Sequence, residues 1–202
     1  MVAIVPRRNA RLSLEIVSAD GAETLDRLEA IDIRGAPSWS PDSQWIVTGG
    51  SDANGLGLFK VPLDGGSPER LVSGGALNPV WSPAGDLIVY AGAQEGAFAP
   101  LLAVRPDGTP VELPEILVLR AGQRFRFLPS GDGLVYMQGD LPSAQDFWLL
   151  DLAGLTSRRL TELDDDAMIN SFDVTPDGAM IVFDRLRENS DIVLIDLDGI
   201  SE

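Results

Sequence analysis

Asn78–Tyr90 reads Asn-Pro-Val-Trp-Ser-Pro-Ala-Gly-Asp-Leu-Ile-Val-Tyr. It is a strand, a Pro/Gly turn and a second strand, and the pattern is written three more times. The turn prolines are Pro41, Pro83, Pro129 and Pro176, a period of 42–47 residues. Two residues before each lies a large apolar residue: Trp39, Trp81, Phe127 or Val174. After each turn comes a β-branched or aromatic run: Ile46-Val47-Thr48, Ile88-Val89-Tyr90, Leu134-Val135-Tyr136 and Ile181-Val182-Phe183. Short runs of this kind bounded by turn residues read as strands.

Each copy continues into a third strand, at Leu58–Leu63, Leu101–Arg105, Phe147–Leu152 and Ile192–Leu197. These close on Asp64-Gly65, Asp107-Gly108, Ala153-Gly154 and Asp198-Gly199, where glycine supplies the positive φ of a tight turn. A weaker fourth strand follows at Glu69–Val72, Pro110–Leu113 and Arg158–Thr161, and Ile116–Leu119 extends the second of these. Four strands in about 40–45 residues is the period of a propeller blade. One blade is apolar on both faces and cannot cover itself, so blades must stack around an axis. Packing accounts for the repeated prolines, tryptophans and Asp-Gly pairs. The aromatics before the turns are expected to wedge between neighbouring blades.

The expected fold is therefore an all-β propeller of four-stranded antiparallel blades, with about four to five blades in one domain over residues 1–202. Residues 1–28 form a partial blade, 35–72, 78–113 and 124–161 whole ones, and 171–199 a last, incomplete one. Both ends carry a third strand, which points to part of a larger propeller rather than an irregular five-bladed ring.

Composition narrows the chemistry. The 202 residues hold no cysteine and no histidine. That removes disulfides, thiolate and imidazole metal ligands, and Ser-His-Asp catalysis. The net charge of −16 argues against nucleic acid, whose binding rests on phosphate neutralisation. No apolar run is long enough to span a membrane. Met1–Val5 is too short for a signal-peptide core and precedes Arg7-Arg8, the reverse of the usual order. The chain is thus expected to be cytosolic or separated from its export signal.

Single motifs add little. Asp52-Ala53-Asn54-Gly55 faintly resembles a calcium loop but lacks the other ligands, so a hairpin is expected. Gly50–Gly55 fails as a phosphate loop, with Leu56 and Gly57 where Lys and Ser/Thr must stand. Arg124 and Arg126 alternate with Phe125 and Phe127; an outward strand row paired with surface acid is expected, with an anion or carboxylate site as the alternative. Glu162–Asp166 reads as a solvated loop, with a divalent cation as the alternative.

Pro37–Trp45 and Asn78–Tyr90, with Val174–Phe183 close behind, resemble the WD40-like repeat of the TolB propeller family; Arg124–Tyr136 departs from it, with Phe127-Leu128 for Trp-Ser. The resemblance implies a periplasmic or cell-surface setting and a propeller that docks other proteins. Similar repeats form gating propellers of prolyl-oligopeptidase-like peptidases, so fold alone assigns no activity.

The expectation is a non-catalytic scaffold, possessing no catalytic residue, cofactor or metal, that binds another protein or peptide on one mouth, within a larger assembly. The loops leading into the first strands would line that mouth: Gly35-Ala36, Leu77-Asn78, Gln123-Arg124 and Asn170-Ser171. Asn78, Gln123, Arg124, Asn170 and Ser171 are the candidate partner-binding residues, and capping their loop turns would serve them equally well. The alternatives are a substrate-gating propeller of a serine peptidase, although no Gly-x-Ser-x-Gly elbow occurs here, and a calcium-dependent propeller enzyme.

Overall fold

A computed structural model describes residues 1–186 apart from 9, 10, 22, 29, 121, 142, 143 and 164–166. The expected strand Ile192–Leu197, its turn Asp198-Gly199 and the acidic Asp164–Asp166 lie outside the described residues. Five sheets follow one another along the chain. The first joins β1 (Val2–Ile4), β4 (Leu14–Val17) and β5 (Thr24–Leu28), with β2 (Arg7–Arg8) and β3 (Arg11–Leu12) as a small hairpin between. The second is β6 (Asp32–Trp39), β7 (Trp45–Asp52), β8 (Gly55–Pro62) and β9 (Glu69–Ser73). The third is β10 (Leu77–Trp81), β11 (Ile88–Ala91), β12 (Phe98–Val104) and β13 (Pro110–Val111), and β14 (Leu117–Leu119) also pairs with β12. The fourth is β15 (Phe125–Phe127), β16 (Gly133–Leu141), β17 (Ala144–Asp151) and β18 (Thr156–Arg159); the fifth is β19 (Phe172–Val174) with β20 (Ile181–Phe183). Every pairing among the described residues is antiparallel, and apart from β1 with β4 and β12 with β14 it joins strands consecutive in the chain.

The repeated turn does the same work in each copy. Ser43 N donates to Ser40 O at 2.9 Å, Gly85 N to Ser82 O at 3.0 Å, Gly131 N to Leu128 O at 2.9 Å and Gly178 N to Thr175 O at 2.8 Å. Proline occupies the second turn position, where its fixed φ is already correct. The residue closing each turn is left-handed: Ser43, Gly85, Gly131 and Gly178 have φ of 57°, 80°, 80° and 71°. Successive turns also lie close together. A Cβ on Gly85 would lie 3.8 Å from the Pro41 ring, one on Gly131 3.8 Å from Pro83, and one on Gly178 3.6 Å from Pro129. The four turns therefore share one rim and follow it in order.

A hydroxyl locks two of these turns alike. Ser40 Oγ donates to Asp42 Oδ1 at 2.5 Å and accepts from Trp45 N at 2.9 Å. Thr175 Oγ1 donates to Asp177 Oδ1 at 2.5 Å and accepts from Met180 N at 3.0 Å. The hydroxyl bond, helped by Gln44 N, holds the Asp42 carboxyl below its ordinary 3.8. Thr175 and Ala179 N do the same for Asp177. A carboxyl lowered in the folded state adds stability that is complete above its unfolded value and lost as pH falls through the folded one. Both groups face solvent, so that contribution is small. Ser40→Ala should move Asp42 back up towards the ordinary carboxylate range in an NMR titration. An unmoved Asp42 would show that the hydroxyl is not the cause.

Burial follows the two-residue period of the strands. On β7, Ile46 faces the first sheet and Val47 the third. On β11, Ile88 and Tyr90 face the second sheet, Val89 and Ala91 the fourth. On β16, Leu134 and Tyr136 face the third sheet, Val135 and Met137 the fifth. Four apolar layers thus alternate with five sheets. The wedge residues sit in them as expected: Trp39 between first and second sheets, Trp81 in the next layer, Phe127 in the third and Val174 in the last. The innermost strands meet in chain order, β6 with β10, β10 with β15, and β15 with β19.

Local details refine the expected turns. Asp52–Gly55 is a two-residue hairpin loop, with Asn54 N donating to Asp52 Oδ1 at 2.7 Å, and Asp52 is ion-paired with Arg70. Gly65 and Gly108 have the positive φ that Asp-Gly implied. At Ala153-Gly154 the left-handed residue is instead Leu155, at φ 50°. Asp151 accepts from Gly154 N at 2.6 Å there, which sets the turn one residue later.

Candidate functional site

The segments expected as lead-in loops meet at the end opposite the proline turns, but two of them are strand: Gly35-Ala36 lies within β6 and Leu77-Asn78 opens β10, while Gln123-Arg124 and Asn170-Ser171 do precede β15 and β19. β6 and β10 are each broken by a register shift there, between Arg34 and Ser38 and between Leu77 and Val80. At these bends the backbone turns left-handed, with φ of 78° at Gly35 and 48° at Asn78; Gly122 repeats the feature at 80°. Glycine and asparagine are the residues that tolerate such a φ.

These loops are bonded to one another. Asn78 Oδ1 accepts from Ala36 N at 2.9 Å, and Asn78 Nδ2 donates to Gly122 O at 3.1 Å. One amide therefore joins the second, third and fourth sheets. Gln123 N donates to Asn170 O at 3.1 Å, carrying the chain of bonds to the fifth. Asn170 N and Ser171 N both donate to Asp184 Oδ1, at 2.7 and 3.1 Å. Those donors, with the Arg124 charge, hold the Asp184 carboxyl below its ordinary value.

Arg124 is buried, and its Nη1 donates to Ile169 O at 2.6 Å. Burial pushes its guanidinium down from the usual value while Asp184 opposes the shift. Arg126 Nη1 donates to Gln123 Oε1 at 2.6 Å, and its Nε lies 3.6 Å from Asp173 Oδ1. The expected outward arginine row is thus half right. Arg126 does pair with surface acid. Arg124 instead turns inward, although its O still accepts from Met137 N at 2.9 Å as the pairing with β16 continues.

A cavity of about 650 Å³ opens among these loops, lined by Gly35, Leu77, Asn78, Gly122, Arg124 and Asn170 of the lead-ins. Met168 and Ile169, before β19, form more of the wall. Of the residues named from sequence, Asn78, Arg124 and Asn170 line it, while Gln123 and Ser171 brace it from beside. Sequence reading missed Gln94, Ala97, Leu119 and Arg120. They arrive because β14 pairs back on Phe98–Pro100, and Arg120 N donates to Ala97 O at 3.1 Å. The apolar run Leu117–Leu119 was the available signal. Following it as a strand to its end puts Arg120 beside the hairpin tip. A second cleft of about 400 Å³ shares Gly35, Leu77 and Arg120 and adds Arg34 and Asp32.

The larger cavity offers amides, guanidinium groups and aliphatic walls. Among the described residues its lining includes no carboxylate, so those residues supply no general acid–base pair. Among the same residues no group of three or more Asp or Glu is gathered as for a metal ion.

Asn78→Ala should cost about 1–3 kcal/mol, because two inter-sheet bonds vanish and their backbone partners stay behind. Asn78→Gly keeps the left-handed backbone and isolates the loss of the bonds. Urea unfolding of both variants checks this; two unchanged midpoints would show that the amide does not bind the sheets together.

No family model matches the sequence, and no curated protein matches it. Solved structures do. TolB from Acinetobacter baumannii is 20% identical with a TM-score of 0.66, over 90% of this chain and 46% of that one. A TolB structure from Agrobacterium tumefaciens is 20% identical with a TM-score of 0.64, over 92% of this chain and 70% of that one. An oligogalacturonate lyase in complex with manganese is 15% identical with a TM-score of 0.62, over 86% of this chain and 53% of that one. The chain spans less than half the length of the Acinetobacter protein, and at these identities the likeness is one of architecture. The fold is that of a TolB-like β-propeller.

Proposed function

We propose that this propeller is a non-catalytic docking module that seats another protein, through a peptide segment, in the cavity at its mouth. One observation carries the reading. Two polar side chains at the mouth, Asn78 and Arg124, are spent on holding its rim, Asn78 on Ala36 and Gly122, and Arg124 on Ile169. What remains is a preformed concave surface with aliphatic walls, which suits recognition without rearrangement. The same fold serves both docking proteins and enzymes, so the fold alone does not choose. An extracytoplasmic setting, periplasmic or at the cell surface, goes with this reading.

Site-specific photo-crosslinking tests it. A photoreactive residue replaces Ala97, exposed at the mouth, or Ala84, exposed on the rim of proline turns. In cells of the native source, a discrete crosslinked protein should appear with the probe at position 97 and not at 84. Equal labelling from both positions, or none from 97 together with hydrolysis of a sugar or lactone panel, would overturn the proposal.

A further inference from the structure

The charge of the mouth runs against that of the molecule. Asp and Glu outnumber Lys and Arg by 31 to 15 in the chain. Yet the charged side chains lining the main cavity, among the described residues, are Arg120 and Arg124. Arg34 stands in the adjoining cleft, which shares Arg120. The Asp32 carboxylate of that cleft is engaged, accepting from Leu12 N at 3.0 Å.

The arginines differ in what they have left to give. Arg124 is buried and donates to a backbone carbonyl. Arg120 is exposed, and its side chain gives one bond among the described residues, from Nη1 to Gln94 Oε1 at 2.5 Å. A guanidinium carries five N–H donors in a planar fork that matches a carboxylate. Arg120 is therefore steadied at one corner and still has donors to offer. The same cavity is lined by Leu77, Ala97, Leu119 and Met168, so an anion meeting Arg120 inside it would have apolar walls.

Resting on the docking reading above, we infer that the mouth captures the C-terminus of its partner: an apolar last residue in the cavity, with its free carboxylate on Arg120. The net charge decides for a terminus over an acidic stretch. A ligand with several carboxylates would be repelled by a surface of charge −16 before reaching the arginine. A chain end brings one carboxylate to one guanidinium, and neutral or basic residues behind it suit the acidic surroundings.

Fluorescein-labelled hexapeptides test this, with a neutral or lysine-containing body and Leu, Ile, Val, Met or Phe as the last residue. Each is made with a free C-terminal carboxylate and as the amide, and binding is read by fluorescence anisotropy. At least one free-carboxylate peptide should bind saturably, and amidation should weaken it about tenfold or more, as loss of a charged hydrogen bond does. Arg120→Gln should weaken the free-carboxylate peptide by a similar factor and leave its amide unchanged. Arg158→Gln on exposed β18 makes the same change in net charge and should leave both unchanged. Thermal midpoints show whether each variant is folded. Absence of binding across the set, equal binding of acid and amide, or indifference to Arg120→Gln would overturn the inference. If position 97 still crosslinks a partner in that case, docking at the mouth stands and only the capture of a terminus falls.

Discussion

Gly49→Ala is expected to destabilise the protein by about 3 kcal/mol or more, the size typical of overpacking where nothing can yield. Gly49 lies in β7, where it is paired with Leu58 on β8 and Arg34 on β6. A Cβ there would sit 2.0 Å from Ala76 O, 2.9 Å from Ala76 C and 3.0 Å from Arg34 O. These are backbone atoms, so no rotamer change relieves the clash. Ala76 is buried and leads directly into β10, and the added methyl would push the second and third sheets apart. Gly65→Ala is the control: its φ is 84°, but nothing lies within 4 Å of its Cβ. Backbone strain alone should cost it about 1–2 kcal/mol. Urea midpoints of the two variants decide, and a Gly49 variant no less stable than the Gly65 variant would show that the sheets have room to part.

Phe147→Ala should cost about 3–5 kcal/mol, as removal of a fully buried aromatic does, and its effect should be uneven. Phe147 is wholly buried on β17. Its ring lies 5.0 Å from Phe172 and 5.1 Å from Phe183, centroid to centroid. Phe172 belongs to β19 and Phe183 to β20, so one side chain holds both described strands of the fifth sheet. Among the described residues, the other face of that sheet leaves Met180 and Val182 about 60% exposed. Amides of β19 and β20 should therefore lose hydrogen-exchange protection well before those of β7 and β8. Phe59→Ala, in the layer between the first and second sheets, should leave β19 and β20 protected. Uniform loss of protection in the Phe147 variant would mean that the sheets unfold together rather than one by one.

The architecture was legible because its determinants are local. A proline turn, a left-handed residue closing it and an apolar run beyond occupy about ten residues, and four copies fix the phase of all the strands. The two-sided burial of Ile46 and Val47, or Ile88 and Val89, follows from that phase. The site was only partly legible, because its determinants join distant residues. The lead-in loops could be placed by equivalence between copies. The bonds of Asn78 to Ala36 and Gly122, each more than 40 residues away, leave no trace in any local pattern. Arg120 needed the return of β14, an element with no counterpart in the other copies among the described residues. Arg124 turned inward to a carbonyl 45 residues away, that of Ile169, which no local alternation shows. Leu155 took the left-handed position beside a glycine that looked better suited to it.

The close approach of a turn proline to the next turn's glycine, Pro41 to Gly85, Pro83 to Gly131 and Pro129 to Gly178, is the same joint used three times over. A joint that accepts any neighbour of its own kind makes the units interchangeable. Gene duplication or unequal crossing-over can lengthen or shorten such an array without inventing a new seam. Descendants of one ancestral repeat can thereby differ in circumference while sharing every hinge.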